Sequence, residues 1–264
     1  MKAPVARAPL TVPSARTVST AKTGESALGR AYRQLYDSLC GTHPHLRPWH
    51  FQWLSGHYLY VSLRRLLPTL SGRVLDAGCG NKPYRSCFGV VTEYVGLDLT
   101  PGQEVDLVVS AREKWPLPDG HFDVLLASQM LEHVRDLDLT LSEMARVLKP
   151  GGVMVLTFPF IYNEHGAPYD FQRFTAHRAV GLFPHYEVVR LERQGGVGST
   201  LVILLLNWIE HSLNATTPTR LLKAPLLPFW MLFSLIMNMG GLLVDQLDRT
   251  GAFYNNIMVV LRKA

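Results

Sequence analysis

Two kinds of apolar patterning divide the chain. From Ser26 to Leu70 the apolar positions recur at helical spacing, as in Ala31, Leu35 and Leu39 and again in Leu59, Leu63, Leu66 and Leu67, with a loop around Gly41 to Pro48 between them. Beyond that, short apolar runs take over at Arg73–Asp76, Tyr94–Leu99, Asp106–Val109, Phe122–Ser128, Val153–Phe158, Tyr186–Leu191 and Ile257–Leu261. A helix is expected from about Pro83, and Leu137–Leu148 carries a helical stripe. Runs without strict alternation suit strands covered on both faces. Their alternation with helices predicts an α/β architecture: a doubly wound, mostly parallel sheet of seven strands preceded by N-terminal helices.

The spacing is interrupted twice. About twenty-five residues after Phe158 lack strand signal, and nearly sixty separate the sixth run from the seventh, far more than an ordinary connection needs. The expected organisation is a tail over residues 1–25 and one domain over 26–264, comprising N-terminal helices at 26–70, a core at 71–195, a hydrophobic helical insertion at 196–254 and the last strand at 255–264. Within the insertion, Ala224–Val244 contains no charged residue and meets the length of a membrane span, and Leu201–Ile209 is also apolar. A single crossing would strand Ile257–Leu261 on the far side. Pro225, Pro228 and the pair Gly240-Gly241 are expected to break the segment, while Phe229, Trp230 and Phe233 suit an interface as well as a core. Three placements of residues 201–247 follow: packed on the sheet as a roof over the site, lying in the plane of a membrane, or docked on a second copy.

Charge narrows the partners. Of the formal +5, most is held by Lys2, Arg7, Arg16 and Lys22, which precede the first acid, Glu25. No basic patch interleaved with aromatics follows, so nucleic acid is not expected as a partner. Residues 1–25 are rich in Ala, Pro, Ser, Thr and Val and read as a disordered tail rather than a signal peptide, with an organelle transit peptide as the alternative. Three cysteines, Cys40, Cys79 and Cys87, follow no disulfide framework, which makes a cytoplasmic protein the default, peripheral at a membrane if the insertion lies on one. His43, His45, His50 and His57 have no Cys or carboxylate at a recognised ligand spacing, so no metal is expected.

Candidate chemistry starts at the first strand. A glycine-rich turn directly after a strand lets backbone amides approach a ligand, because glycine has no Cβ and adopts positive φ freely. Gly78 and Gly80 stand in that place, with Cys79 between them as a small structural residue. An acid at the end of the next strand can accept two hydrogen bonds from a ribose diol, and Asp98 follows Asp76 by about the twenty residues usual in nucleotide-binding α/β units. Alone, such a turn also suits a tight connection without a ligand. A dinucleotide is the rival ligand, but Asp76–Asn81 lacks the third glycine of the G-x-G-x-x-G pattern.

Four stretches occur in order: VLDAGCG at Val74–Gly80, YVGLDLT at Tyr94–Thr100, WPLPDGHFDVLLASQMLEHV at Trp115–Val134 and RVLKPGG at Arg146–Gly152. Together they resemble the successive motifs of class I S-adenosylmethionine-dependent methyltransferases, especially the small-molecule type 11 branch, over about Gly72 to Leu156. The resemblance implies a Rossmann-like fold, S-adenosylmethionine as cofactor, and an enzyme that moves a methyl group by in-line displacement to a small-molecule, glycan or lipid-linked acceptor. By position it sets Asp76, Gly78, Cys79 and Gly80 around the methionine part of the cofactor, Asp98 on the ribose hydroxyls and Leu99 beside the adenine. Ser110 and Ala111 stand where many relatives carry an acid for the adenine amino group, and Ser128 is a further cofactor-binding position. The competing function is a non-catalytic scaffold of the same fold that assembles through the insertion; the intact Asp76, Gly78, Gly80 and Asp98 favour the enzyme.

Methyl transfer needs no fixed catalytic triad, but an oxygen or protonated amine acceptor would be helped by a base, for which His133, His165 and Asp170 are the candidates. Glu132-His133 belongs to the family motif, where it can also brace the turn. The stretch NEHGAPYDFQRFT, Asn163–Thr175, follows the fifth strand and resembles a PYDFxRFT segment of a subset of bacterial methyltransferases. Tyr169, Asp170 and Arg173 are its candidate substrate-binding residues. The alternative is a loop anchored by Tyr169, Phe171 and Phe174, with Asp170 and Arg173 paired at the surface.

Overall fold

A computed structural model describes residues 27–41, 46–110, 112–215 and 217–264; the tail over 1–25, His43, His45 and Ala111 lie outside the described residues. The helices are α1 (Ala27–Cys40), α2 (Trp53–Leu66), α3 (Leu137–Val147), α4 (Ala176–Val180), α5 (Val197–Asn214) and α6 (Thr217–Asp245). The strands are β1 (Gly72–Ala77), β2 (Val91–Asp98), β3 (Leu107–Val108), β4 (Phe122–Ser128), β5 (Leu148–Pro159), β6 (Glu187–Gln194) and β7 (Asn256–Arg262). They form one seven-stranded sheet in the order β3-β2-β1-β4-β5-β7-β6, in which β7 runs antiparallel to both its neighbours and the other pairs are parallel. This is the Rossmann-like α/β architecture expected, with β3 reduced to a short edge.

The apolar runs are continuous because alternate residues are buried on opposite faces. Leu75, Leu125, Met154, Leu156 and Val259 pack on one face with Met144 and Val147 of α3 and Ala176 and Ala179 of α4. Val74, Val124, Leu126, Val155 and Val260 pack on the other with Leu59 and Leu63 of α2 and with Leu67.

Two expectations are corrected. The helix predicted from about Pro83 does not form; only a single 3-10 turn, Arg85–Cys87, lies between β1 and β2. Its place on the sheet is taken by α2, which comes earlier in the chain, together with the buried rings of Tyr84 and Phe88. Nor do Pro225, Pro228 and Gly240-Gly241 break the apolar segment, since α6 is continuous through them. The glycines serve a helix crossing instead: a Cβ on Gly198 of α5 would come within 2.4 Å of the Gly241 carbonyl oxygen, and one on Gly241 within 3.2 Å of Val202. Backbones approach this closely only where side chains are missing.

The crossing is closed at one end by acids of the α6 terminus. Asp245 accepts from Ser199 N at 2.8 Å and Asp248 from Val197 N at 3.0 Å, which satisfies amide groups that the α5 N-terminus otherwise leaves unpaired. Tyr58 of α2 donates to the same Asp245 at 2.7 Å. Leu54, Val202, Ile203, Leu206, Leu227 and Trp230 then form a separate apolar cluster that joins α5 and α6 to α2.

Candidate active site

At the C-terminal end of β1 the chain turns sharply, and the amides of Gly78 and Cys79 both donate to the Leu97 carbonyl, at 2.8 and 3.1 Å. Gly78 has φ +75°, and a Cβ there would meet Met130 Cγ at 2.4 Å, so only glycine fits. Gly80, at φ +49°, faces the other way: nothing lies within 4 Å of where its Cβ would be. Its amide donates to Asp98 Oδ2 at 3.0 Å, while Thr100 donates to Oδ1 from both its amide, at 3.0 Å, and its hydroxyl, at 3.1 Å. The carboxylate at the end of β2 is thereby fixed beside the open turn and keeps lone pairs for further donors. Leu99, next to it, is half exposed.

Beneath the turn lies a support that sequence reasoning missed. Asp76 is buried and accepts from the Tyr94 hydroxyl at 2.7 Å; burial pushes its carboxyl up to about 6. Lys82 reaches Asp106 Oδ2 at 2.5 Å, and Gly96 N donates to the same oxygen at 2.7 Å. A Cβ on Gly96 would strike Lys82 Cε at 2.3 Å and Cys79 Sγ at 2.7 Å, which is why a glycine interrupts the second apolar run. Burial pushes the Cys79 thiol up to about 12, so it is an inert packing residue.

The other cofactor candidates divide. Ser110 is exposed just beyond β3, its hydroxyl accepting from Arg112 N at 3.3 Å. Ser128 bonds Thr157 Oγ1 at 2.9 Å and the Tyr84 hydroxyl, so it ties β4 to β5 and to the loop after the turn. Arg146 of the RVLKPGG stretch reaches the carbonyls of Leu117 and Trp115, at 2.7 and 3.0 Å, and pairs with Glu143 at 2.6 Å. It clamps the WPLPDG stretch onto α3.

The catalytic candidates come together at the ends of β4 and β5. His133 lies on a 3-10 turn, Leu131–His133, and its Nδ1 is 2.5 Å from the Tyr169 carbonyl, which braces the following loop. His165 packs against it, ring centroids 4.9 Å apart. Asp170 accepts from His165 N at 2.9 Å and is held bidentate by Arg173, which keeps its carboxyl down at about 2. The pair is half-buried, with the Asp170 carboxylate enclosed and the Arg173 side chain 24% exposed, and Asp170 spends its oxygens on Arg173 and the His165 amide. Of the proposed anchors, Phe174 packs on Phe158 in the core, whereas Tyr169 is 65% exposed. Burial lowers the His165 pKa, so its imidazole is neutral at pH 7.

Glu132, between Leu131 and His133, belongs with His133 to the motif that sequence reading gave the role of bracing the turn, and was not among the site candidates. It is completely buried, neither carboxylate oxygen has a hydrogen-bond partner, and burial pushes its carboxyl up to about 7. Among the described residues, Glu132, His133 and His165 are the three whose donor atoms could share a metal ion. His50, by contrast, accepts from Gln52 N at 2.9 Å and stacks on Phe51, a packing role.

His165 also lines a cavity of about 250 Å³ with Gln52, Ser55, Gln129, Tyr162 and Asn256. Gln129 holds φ +53°, uncommon for a residue with a Cβ. Its neighbour Met130 is the residue that packs on Gly78, so the cavity and the glycine turn lie on either side of one short segment after β4.

Residues 75–156 match the model of a family described as a methyltransferase domain. The chain is 38% identical over 85 residues to the ubiquinone/menaquinone biosynthesis C-methyltransferase UbiE of Laribacter hongkongensis, covering 31% of this chain and 35% of that one. It is 33% identical over 118 residues to a probable S-adenosylmethionine-dependent methyltransferase of Mycolicibacterium smegmatis, covering 40% of this chain and 45% of that one. The chain thus spans less than half the length of the curated relatives it matches. The solved structure of the [4+2]-cyclase SpnF shares the fold, with a TM-score of 0.51 at 18% identity over 80% of this chain and 82% of that one.

Proposed function

We propose that this chain, whose residues 75–156 match a methyltransferase-domain family, is a class I S-adenosylmethionine-dependent methyltransferase that transfers a methyl group to a small-molecule, glycan or lipid-linked acceptor. The observation that carries the reading is the pairing of Gly80 with Asp98: an open glycine turn whose amide fixes the carboxylate at the next strand end. The residues present fit S-adenosylmethionine, since the empty space over Gly80, the remaining lone pairs of Asp98 and the half-exposed Leu99 offer an amide edge, a diol acceptor and an apolar surface side by side. When bound, the cofactor supplies a methyl group already activated on a sulfonium, so the protein's task is alignment.

The chain's own residues divide that task. Gly80 allows close approach, Gly78 makes the turn that presents it, Asp98 holds the ribose hydroxyls, and Leu99 flanks the base. Gln129, Tyr162 and His165 receive the acceptor in the cavity on the other side of the segment after β4. Calorimetric titration with S-adenosylmethionine and S-adenosylhomocysteine tests the reading. Asp98→Ala is expected to weaken binding at least about tenfold through loss of charge-assisted hydrogen bonds. Absence of binding to folded protein would overturn it and leave the non-catalytic scaffold.

The α5–α6 insertion rests, in this reading, on a membrane surface from which a lipid-linked acceptor is drawn. Support comes from exposed stripes at helical spacing: Leu201, Leu204, Leu205 and Trp208 on α5, and Phe229, Leu232, Ile236, Leu243 and Leu247 on α6 and its end. Pro225–Asp245 is long and apolar enough to cross a bilayer, yet β7 follows it inside the sheet, which favours lying on the surface over crossing. Flotation with phospholipid vesicles is expected to carry the chain upward and to lose Trp208→Glu/Phe229→Glu. A dimer in light scattering with no flotation would assign the same stripes to a second copy.

A further inference from the structure

We propose that Glu132, His133 and His165 bind a divalent transition-metal ion of the zinc class. The starting point is the fully buried Glu132 carboxylate, neither of whose oxygens has a hydrogen-bond partner. A carboxylate cut off from water needs a partner of opposite charge, and an orphaned pair of oxygens is costly. Within about 4 Å of its Oε1 stand two imidazole nitrogens, His133 Nε2 at 3.9 Å and His165 Nε2 at 4.0 Å. These distances are too long for hydrogen bonds. They are close to what three donors need to share one ion, since zinc bonds of about 2.1 Å place donors about 3.4 Å apart at tetrahedral angles, an inward shift of roughly half an ångström for each ring.

The far side of the His133 ring supports the same reading. His133 Nδ1 lies 2.5 Å from the Tyr169 carbonyl, and His165 Nδ1 lies 3.4 Å from both Asp170 Oδ2 and the Asn163 carbonyl. His133 Nδ1 faces an acceptor, so it carries the proton there and turns the bare lone pair of Nε2 toward Glu132, whereas His165 Nδ1 stands 3.4 Å from the donor Arg173 Nη2 as well. Metal-binding histidines are held as His133 is, with a carbonyl or carboxylate fixing the tautomer and the ring.

Spacing conceals the set, because His165 comes from the loop after β5 and meets the other two only in the fold. Gly166 permits the contact, as a Cβ there would approach His133 Cε1 to 3.2 Å. Both imidazoles remain about one-third exposed, so coordination positions stay open as in a catalytic zinc site. His165 also forms the cavity wall, and an ion there takes an oxygen of an acceptor seated in the cavity; this last step rests on the methyl-transfer reading, whereas metal binding does not.

The test uses the full chain, stripped with chelator and without cofactor, titrated with Zn²⁺ in the calorimeter and with Co²⁺ by visible absorption. One ion per chain is expected, with Kd below about 1 µM. His133→Ala and His165→Ala should each weaken binding about a hundredfold or more, and Asp170→Asn, which keeps the three donors, about tenfold or more. His57→Ala should leave it unchanged. X-ray absorption of the zinc-loaded wild-type chain, which needs no variant to fold, should show two imidazoles and oxygen ligands. Binding weaker than about 100 µM, equal binding by the folded variants, or a shell without two imidazoles would overturn the proposal.

Discussion

The Tyr94 hydroxyl donates to Asp76 Oδ2 at 2.7 Å across the β1–β2 pair, directly below the glycine turn. Among the described residues this is the carboxylate's one hydrogen bond, and it does not offset burial, which leaves the carboxyl up at about 6. Below about pH 4 the group is neutral in both folded and unfolded chains and costs nothing. As pH rises through 6 the folded chain must hold a buried charge, and stability falls. Asp76→Asn removes that cost while keeping an acceptor for Tyr94. The variant should match the wild type near pH 4 and exceed it by about 2–3 kcal/mol at pH 8 in urea unfolding; a difference independent of pH would refute the account.

Gly80→Val separates the ligand role of the turn from its structural role. Nothing lies within 4 Å of the new Cβ, so folding should suffer chiefly the backbone strain of a β-branched residue at φ +49°, about 2 kcal/mol. Binding of S-adenosylmethionine should nonetheless fall more than about tenfold, because the side chain fills the space that the cofactor needs. Gly78→Ala should do the reverse in order of severity, damaging stability first through Met130. Calorimetry beside thermal melts distinguishes the two.

Arg146 tests whether the RVLKPGG stretch is structural. Removing the guanidinium leaves the Leu117 and Trp115 carbonyls and the buried Glu143 without their partner, and Arg146→Ala should cost about 2–4 kcal/mol. Lysine cannot span the same fork of acceptors, so Arg146→Lys should recover less than half of that loss. Full recovery by lysine would show that charge alone is needed.

Gly198→Val should force α5 and α6 apart, since even a Cβ would come to 2.4 Å from the Gly241 oxygen. The expected cost is about 1–3 kcal/mol, with faster hydrogen exchange in α5 and α6 while the β1–β4 amides stay protected. Uniform loss of protection through the sheet would mean that the insertion and the sheet unfold as one unit.

The strands were legible because β1, β4, β5 and β7 are buried on both faces and write unbroken apolar runs. What could not be read lies in contacts between distant segments. Gly240-Gly241 looks like a helix break until Gly198 is set against it, and the absent helix after Pro83 is unexpected until α2 is found covering that face. In the site, Gly78, Gly80 and Asp98 were legible because one strand, one turn and the next strand end supply them all. Lys82 and Asp106 were not, since a lysine beside a glycine turn gives no sign that its amine will be buried. Glu132 within LEHV read only as part of a turn brace, because its burial without hydrogen-bond partners is a property of the packed molecule.

The insertion of β7 between β5 and β6 gives the molecule a late keystone. Ile257, Met258, Val259 and Leu261 are completely buried, yet they follow every other element, so truncation anywhere within α6 leaves two inner strand edges unpaired and both apolar layers open. During synthesis the chain must therefore carry an unfinished sheet past the long apolar hairpin before it can close, an interval in which a chaperone or a bilayer in contact with that hairpin would shield it from aggregation.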